Sequence, residues 1–225
     1  LHLLASAVHA QPGVFSKEDL IQYTPEWKGE RFPDGRPRVA DGVLERMRAV
    51  SIEEAWSVLR NANYNHEYED GWMMIHPEKV LVGRALTAVW MPGRPDLQRV
   101  IEETGRKSGR IGAPNAWPVD MLQPGDVLVV DHYGKTVDGP TIGDNVGTSI
   151  YSKSGNGIVY DGAVRDIEGL KEMENFTSFI RSYHPSHHYG TLGPRLNTTL
   201  MGINSPVRIG QATVMPGDVV LGKHG

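Results

Sequence analysis

The chain has 225 residues with 23 basic and 27 acidic side chains, a formal net charge of −4, and this near-balance leaves no basic footprint for a nucleic-acid partner. Hydrophobic residues make up 39%, enough to bury a sizeable core, which excludes global disorder. Cysteine is absent, so disulfides, thiolate metal sites and a cysteine nucleophile are excluded as well.

Residues 1–10 (LHLLASAVHA) read as an apolar stretch closing on small residues ahead of Gln11. That pattern resembles the end of a signal peptide and predicts an exported protein, periplasmic or secreted; the rival is a frayed apolar helix at a fragment's edge, with a cytoplasmic location. No other run approaches the roughly 20 apolar residues of a membrane span, so no membrane partner is expected. Residues 11–42 form an N-terminal arm. Its second half, TPEWKGERFPDGRPRVADG, is rich in Pro, Gly and charge, as expected of an extended surface segment. The domain proper is expected over residues 43–225. Because the chain stops directly after a strand, a truncated C-terminus is expected.

Ser51 and Glu54 form a capping box, and Ile52, Ala55, Trp56 and Leu59 recur at helical spacing, which predicts a helix with a core-facing stripe. Residues 80–90 (VLVGRALTAVW) predict a strand, and residues 95–107, led by Pro95, predict a following helix. PGDVLVVD at 124–131 and PGDVVLG at 216–222 predict two strands entered through the same glycine turn. Between them the pattern predicts a helix from Gly143 through Lys153, a strand at 157–162, a short helix from Asp166 and a strand at 206–214. Such alternation predicts a single α/β domain. Trp72, Trp90 and Trp117 are expected in the core or at a subunit interface.

Two polar turns stand out. Gly143-Asp144-Asn145-Val146-Gly147 opens a helix, where amides lacking helical partners can receive a carboxylate or phosphate; an ordinary N-cap made by Asp144 is the plainer reading. Asp161-Gly162-Ala163-Val164-Arg165-Asp166 leaves a strand at its carboxyl end, where ligands of open α/β sheets collect. Arg165 offers a planar fork for a carboxylate, and Asp166 a hard oxygen ligand for magnesium or manganese. A surface pair capping the next helix remains the alternative.

Twenty residues, 145–164, separate Asp144 from the Arg165-Asp166 pair. This acid-x20-Arg-Asp pattern, together with PGDVLVVD, GIVYDGAVRD and the later PGDVV, resembles the signature of the RraA-like family. That family joins the 4-hydroxy-4-methyl-2-oxoglutarate/4-carboxy-4-hydroxy-2-oxoadipate aldolases and the regulator of ribonuclease E activity. The resemblance spans roughly residues 40–225. It implies a three-layer β/β/α fold like the swivelling phosphohistidine domain, assembled as a homotrimer or homohexamer. It also implies that Arg165 holds a pyruvate carboxylate, that Asp166 binds Mg2+ or Mn2+, that Asp144 reaches the metal through water, and that Gly143, Asn145 and Val146 help hold the substrate. Retention of an acid at position 144 favours the enzyme over the regulators.

The expected activity is therefore a class II, metal-dependent aldolase acting on small 2-oxo acids through a pyruvate enolate, with oxaloacetate decarboxylation as a side activity. The alternative is a non-enzymatic protein-binding regulator. A methyltransferase is disfavoured because no strand leads into a glycine-rich nucleotide turn with an acidic ribose ligand. Lys223, beside a strand end, is the candidate for a competing Schiff-base mechanism. His184, His187 and His188 (HPSHH) allow a transition-metal site, but Pro185 and Ser186 between them make solvated, subunit-contact or substrate-end histidines the default.

Overall fold

The computed structural model describes residues 15–188 and 197–224. The expected signal-peptide remnant lies outside these residues. The arm opens with α1 (Lys17–Tyr23), where Ser16 and Asp19 form a capping box and Leu20 is fully buried. Helices α2 (Asp41–Met47) and α3 (Ile52–Asn61) follow. The next elements are β1 (Met73–Ile75), β2 (Leu81–Pro92), α4 (Pro95–Lys107), α5 (Trp117–Asp120), β3 (Asp126–Lys135) and α6 (Asp144–Ser154). The chain continues through β4 (Ile158–Val164), α7 (Ile167–Glu172), β5 (Ser178–Tyr183), β6 (Thr198–Ile203), β7 (Val207–Ile209), β8 (Ala212–Val214) and β9 (Val219–Gly222).

One sheet organises the chain, in the order β1-β5-β4-β3-β2-β6, with β9 also pairing the first residues of β2. Strands β2 to β5 run parallel, and β1, β6 and β9 run antiparallel to their neighbours. Val127 to Val130 and Ile158 to Val164 are buried without a break, as strands covered on both faces require. On one face Leu86, Leu128, Val130, Ile158 and Tyr160 pack with Ile101, Trp117, Ile150 and Leu170 from the four helices α4 to α7. On the other, Leu81, Val127, Val129, Val159 and Phe179 pack with Val207 and Ile209. Each such side chain contributes about 1.5–3 kcal/mol on leaving water. The result is a mixed α/β fold around a large mixed sheet.

The helix from Pro95 and the two glycine turns match expectation: Gly125 and Gly217 take φ of 80° and 92°, which side chains resist. Four features differ. The stripe of α3 is not core: no residue of that helix is buried, and Trp56 and Leu59 are 42% and 37% exposed. Its amphipathic pattern needed an apolar surface, but the helical face of the sheet is occupied by α4 to α7. The strand expected at 206–214 is a hairpin, because Gly210 takes φ 58° and reverses the chain. β5 and β6 lacked a sequence signal, since their Ser, Thr and Arg positions dilute the apolar pattern. The arm is not wholly on the surface: Arg36 is fully buried, with Phe32 packed beside the Arg36 and Arg84 guanidiniums. Trp90 and Trp117 are buried as expected, while Trp72 is half-buried under the Arg181 guanidinium, 3.9 Å from its ring. Among the described residues no helix is long and apolar enough to cross a membrane.

Candidate active site at the carboxyl ends of the central strands

Parallel β3 and β4 deliver their following turns to the same edge of the sheet. β3 leads through residues 136–142 to Gly143 and the start of α6, and β4 leads directly to Arg165, Asp166 and α7. The turns are tied by backbone, the Arg165 N–H donating to Ile142 O at 3.0 Å. They are tied again by two close glycine approaches. A Cβ on Gly143 would collide with the Asp166 carboxylate and lie 3.0 Å from Arg165 Cγ and Nε. A Cβ on Gly169 in α7 would lie 2.8 Å from Asp144 Cβ and 3.3 Å from its Oδ2. Asp144, Arg165 and Asp166, remote in sequence, thus share one location.

Local backbone explains the side-chain aim. Gly143 caps α6 without a side-chain hydrogen bond, and the helical ladder begins with Gly147 N–H to Gly143 O at 2.8 Å. The amides of Asp144, Asn145 and Val146 therefore precede that ladder. One of them is already engaged: Asn145 N–H donates to Asp144 Oδ1 at 2.7 Å. The plainer reading of this turn holds to that extent, because an acid at the first helical position can fold back onto the next amide. Asp166 adopts a left-handed conformation, φ 55° and ψ 44°. That costs a non-glycine residue on the order of 1 kcal/mol, and such strain clusters at functional sites.

The Arg165 side chain is 20% exposed and the Asp166 side chain 38%, with Arg165 Nε 3.5 Å from Asp166 Oδ2. The buried Nε has no hydrogen-bond partner in the described structure. A guanidinium so placed keeps donors for an incoming carboxylate. No group of three or more metal-binding side chains occurs among the described residues. Two carboxylates from facing turns nevertheless suit a hard cation that keeps water and substrate oxygens in its shell, as magnesium does.

Beneath the turns lies a cluster the sequence reading missed. His132 is fully buried between Tyr133 and Tyr160, ring centroids 5.2 Å away on each side, with Trp90 edge-on at 6.2 Å. Neither of its ring nitrogens has a hydrogen-bond partner among the described residues. Burial, with Lys135 adding to it, pushes this imidazole down to about 3, so it is neutral. Tyr160 Oη lies 2.7 Å from Thr141 Oγ1, two residues before Gly143, and so supports the first turn from below. The sole sequence trace was a His-Tyr pair at the end of an apolar strand.

Other candidates lie elsewhere or beside the site. Lys223 follows β9, whose Gly222 pairs with Leu81 at the amino end of β2, the opposite end of the sheet from Arg165. It therefore cannot supply a Schiff base at this site within one chain. A surface depression lined by Arg48, Lys79, Asn156, Asn175 and Thr177 is also at that amino-terminal end, and its two cations are engaged by Val80 O and by Glu174 and Asn175. His184, in contrast, leaves β5 alongside β4, its N–H donating to Val164 O at 2.8 Å.

The glycine contact gives one expected result. Gly143→Ala should lower turnover of any substrate of this site by about tenfold or more, because the new methyl must displace Asp166 and Arg165, and misplacing catalytic groups by about 1 Å is costly. Steady-state kinetics beside a thermal melt would check it; full activity would mean that the pair is not used in its present position.

Residues 38–224 match the RraA-like family, described as Aldolase/RraA. A Halalkalibacterium halodurans protein with the provisional name 4-hydroxy-4-methyl-2-oxoglutarate aldolase is 33% identical over 99 residues, 44% of this chain and 43% of that protein. The chain thus aligns with less than half the length of this curated relative. Among solved structures, Streptomyces coelicolor RraAS2, described as an unusual member of the RNase ES inhibitor RraA family, superposes with TM-score 0.65 at 24% identity, covering 82% of this chain and 81% of that one. The RNA-processing inhibitor RraA from Thermus thermophilis superposes with TM-score 0.51 at 18% identity, covering 75% and 87%. These two likenesses concern the fold.

Proposed function

Since this chain belongs to the RraA-like family, we propose that it is a divalent-metal-dependent lyase that cleaves a carbon–carbon bond of small 2-oxo acids, of the 4-hydroxy-4-methyl-2-oxoglutarate aldolase type with oxaloacetate decarboxylation as a side activity. The observation that supports it is the Gly143 contact, which brings Arg165 and Asp166 against the turn that begins with Asp144. In this reading the fold is of the swivelling phosphohistidine type and the working unit is a homotrimer or homohexamer.

Arg165 takes the substrate's 1-carboxylate through its fork and sets the pose. The Val146 amide, and that of Asn145 once it exchanges Asp144 Oδ1 for the substrate, lie beside Gly143 at the positive end of α6 and add dipolar stabilisation to the same carboxylate. Asp166 would hold Mg2+ or Mn2+ directly and Asp144 through water. The bound ion supplies Lewis acidity, on the order of several kcal/mol of charge stabilisation. Asp144 accepts the proton of the 4-hydroxyl as the C3–C4 bond breaks; the bonding pair moves to C3 to give pyruvate enolate, and the departing carbon becomes the keto carbon of a second pyruvate. The same acid then returns the proton to C3. With oxaloacetate the leaving fragment is carbon dioxide, and the enolate is the same.

The test is pyruvate release from both substrates with magnesium and with a chelator. Activity should fall to background on chelation and return with Mg2+ or Mn2+. A second reading, a protein-binding regulator, is favoured by the uncovered stripe of α3, since exposed apolar faces mark interaction sites. It would take precedence if pyruvate release were absent or indifferent to metal.

A further inference from the structure

We propose that His187 and His188 are specificity-determining residues of this site, reading the carboxylate at the far end of a dicarboxylic 2-oxo acid while Arg165 holds the near one. The inference rests on the lyase reading and adds to it the residues that choose among its substrates.

The placement follows from topology. β5 runs parallel to β4, and the His184 N–H bond to Val164 O is the last tie between them, so the chain emerges from β5 next to Arg165. Ser186 then pins the emerging loop to the segment that feeds the first turn: Gly139 N–H donates to Ser186 Oγ at 2.7 Å, and that Oγ lies 2.9 Å from His184 Nδ1. Beyond Ser186 the rings of His187 and His188 stack, centroids 4.4 Å apart and planes 22° from parallel, and Asn197 N–H donates to His188 O at 2.9 Å. The two imidazoles form one stacked pair on the loop that leaves β5 next to the strand carrying Arg165, and His188 lies within electrostatic reach of that guanidinium.

The chemistry suits a second, weaker anion point. Burial first, then His187 and Arg165, hold the His188 imidazole down to about 4, so near neutral pH the ring is uncharged. A neutral donor next to a fixed cation does not compete for the near carboxylate, and it therefore sets the direction in which a two-ended acid binds.

The experiment compares 4-hydroxy-4-methyl-2-oxoglutarate with 4-hydroxy-4-methyl-2-oxopentanoate, in which a methyl replaces the far carboxylate; both release pyruvate on cleavage. For His188→Ala the ratio of kcat/KM between the two should fall about tenfold, carried by KM, as expected for one lost hydrogen bond to a charged group. His188→Asn, which keeps an N–H donor, should recover much of the ratio, a rescue that a merely structural loop residue would not show. A native enzyme that cleaves both, with a ratio unchanged in His188→Ala, overturns the histidine assignment alone. A native enzyme that cleaves neither with magnesium present overturns the lyase reading and this inference together.

Discussion

Arg165→Ala should lower kcat/KM for oxaloacetate by about two to three orders of magnitude while leaving the melting temperature nearly unchanged. In the proposed pose the guanidinium makes two charge-assisted hydrogen bonds to the substrate carboxylate, each about 1.5–3 kcal/mol. Two such bonds lie on the order of 3–5 kcal/mol, and each 1.36 kcal/mol is tenfold in rate. Stability should be spared because the ion-pair partner of Arg165, Asp166, sits at 3.5 Å and is well exposed, so the pair is worth little to the fold. Arg165→Lys should recover charge without the fork and remain about tenfold or more below native, since a point charge cannot reproduce planar recognition. Activity of the alanine variant within threefold of native would remove Arg165 from the substrate site.

The second large effect concerns stability. Asp126 is completely buried at the start of β3 and neutralises two buried arginines, with Arg36 Nη2 at 3.0 Å and Arg84 Nε at 3.5 Å. Replacing it by asparagine leaves two guanidiniums out of water with only the more exposed Asp34 and Asp41 as acidic partners. Removing one member of a buried ionic group costs about 3–5 kcal/mol, because the remaining charge keeps its desolvation penalty. For a domain of this size that corresponds to a fall in Tm of roughly 10 °C. Asp34→Ala, at the partly exposed end of the same network, should cost much less. Urea unfolding of both variants checks the order; a loss below about 1 kcal/mol for Asp126→Asn would mean that water reaches the arginines. The expected cost also measures how firmly the arm is bound, since Arg36 and Phe32 belong to it and Asp126 and Arg84 to the sheet.

Much was legible in the residues because it is decided locally. The helix from Pro95 to Lys107, the strand from Leu81, the glycine turns at 125 and 217, and the helix after Gly143 follow from capping, β-branched runs and φ demands, which act within a few residues. Asp144, Arg165 and Asp166 could be singled out from type and spacing. Family membership followed from the same pattern, and residues 38–224 match it. What the residues did not decide was what several elements pack against. The α3 stripe has a sound helical period, yet nothing in that period says whether a surface is left for it. Arg36 reads as an arm residue until β2 and β3 surround it. The approach of Gly143 to Asp166, the aromatic bed under Thr141 and the arrival of the HPSHH loop beside Arg165 depend on strand order. Residue type and short-range spacing name the groups capable of chemistry; only the parallel pairing of β3, β4 and β5 brings them to one edge, because strand pairing joins residues tens of positions apart through backbone bonds that any side chain could have allowed.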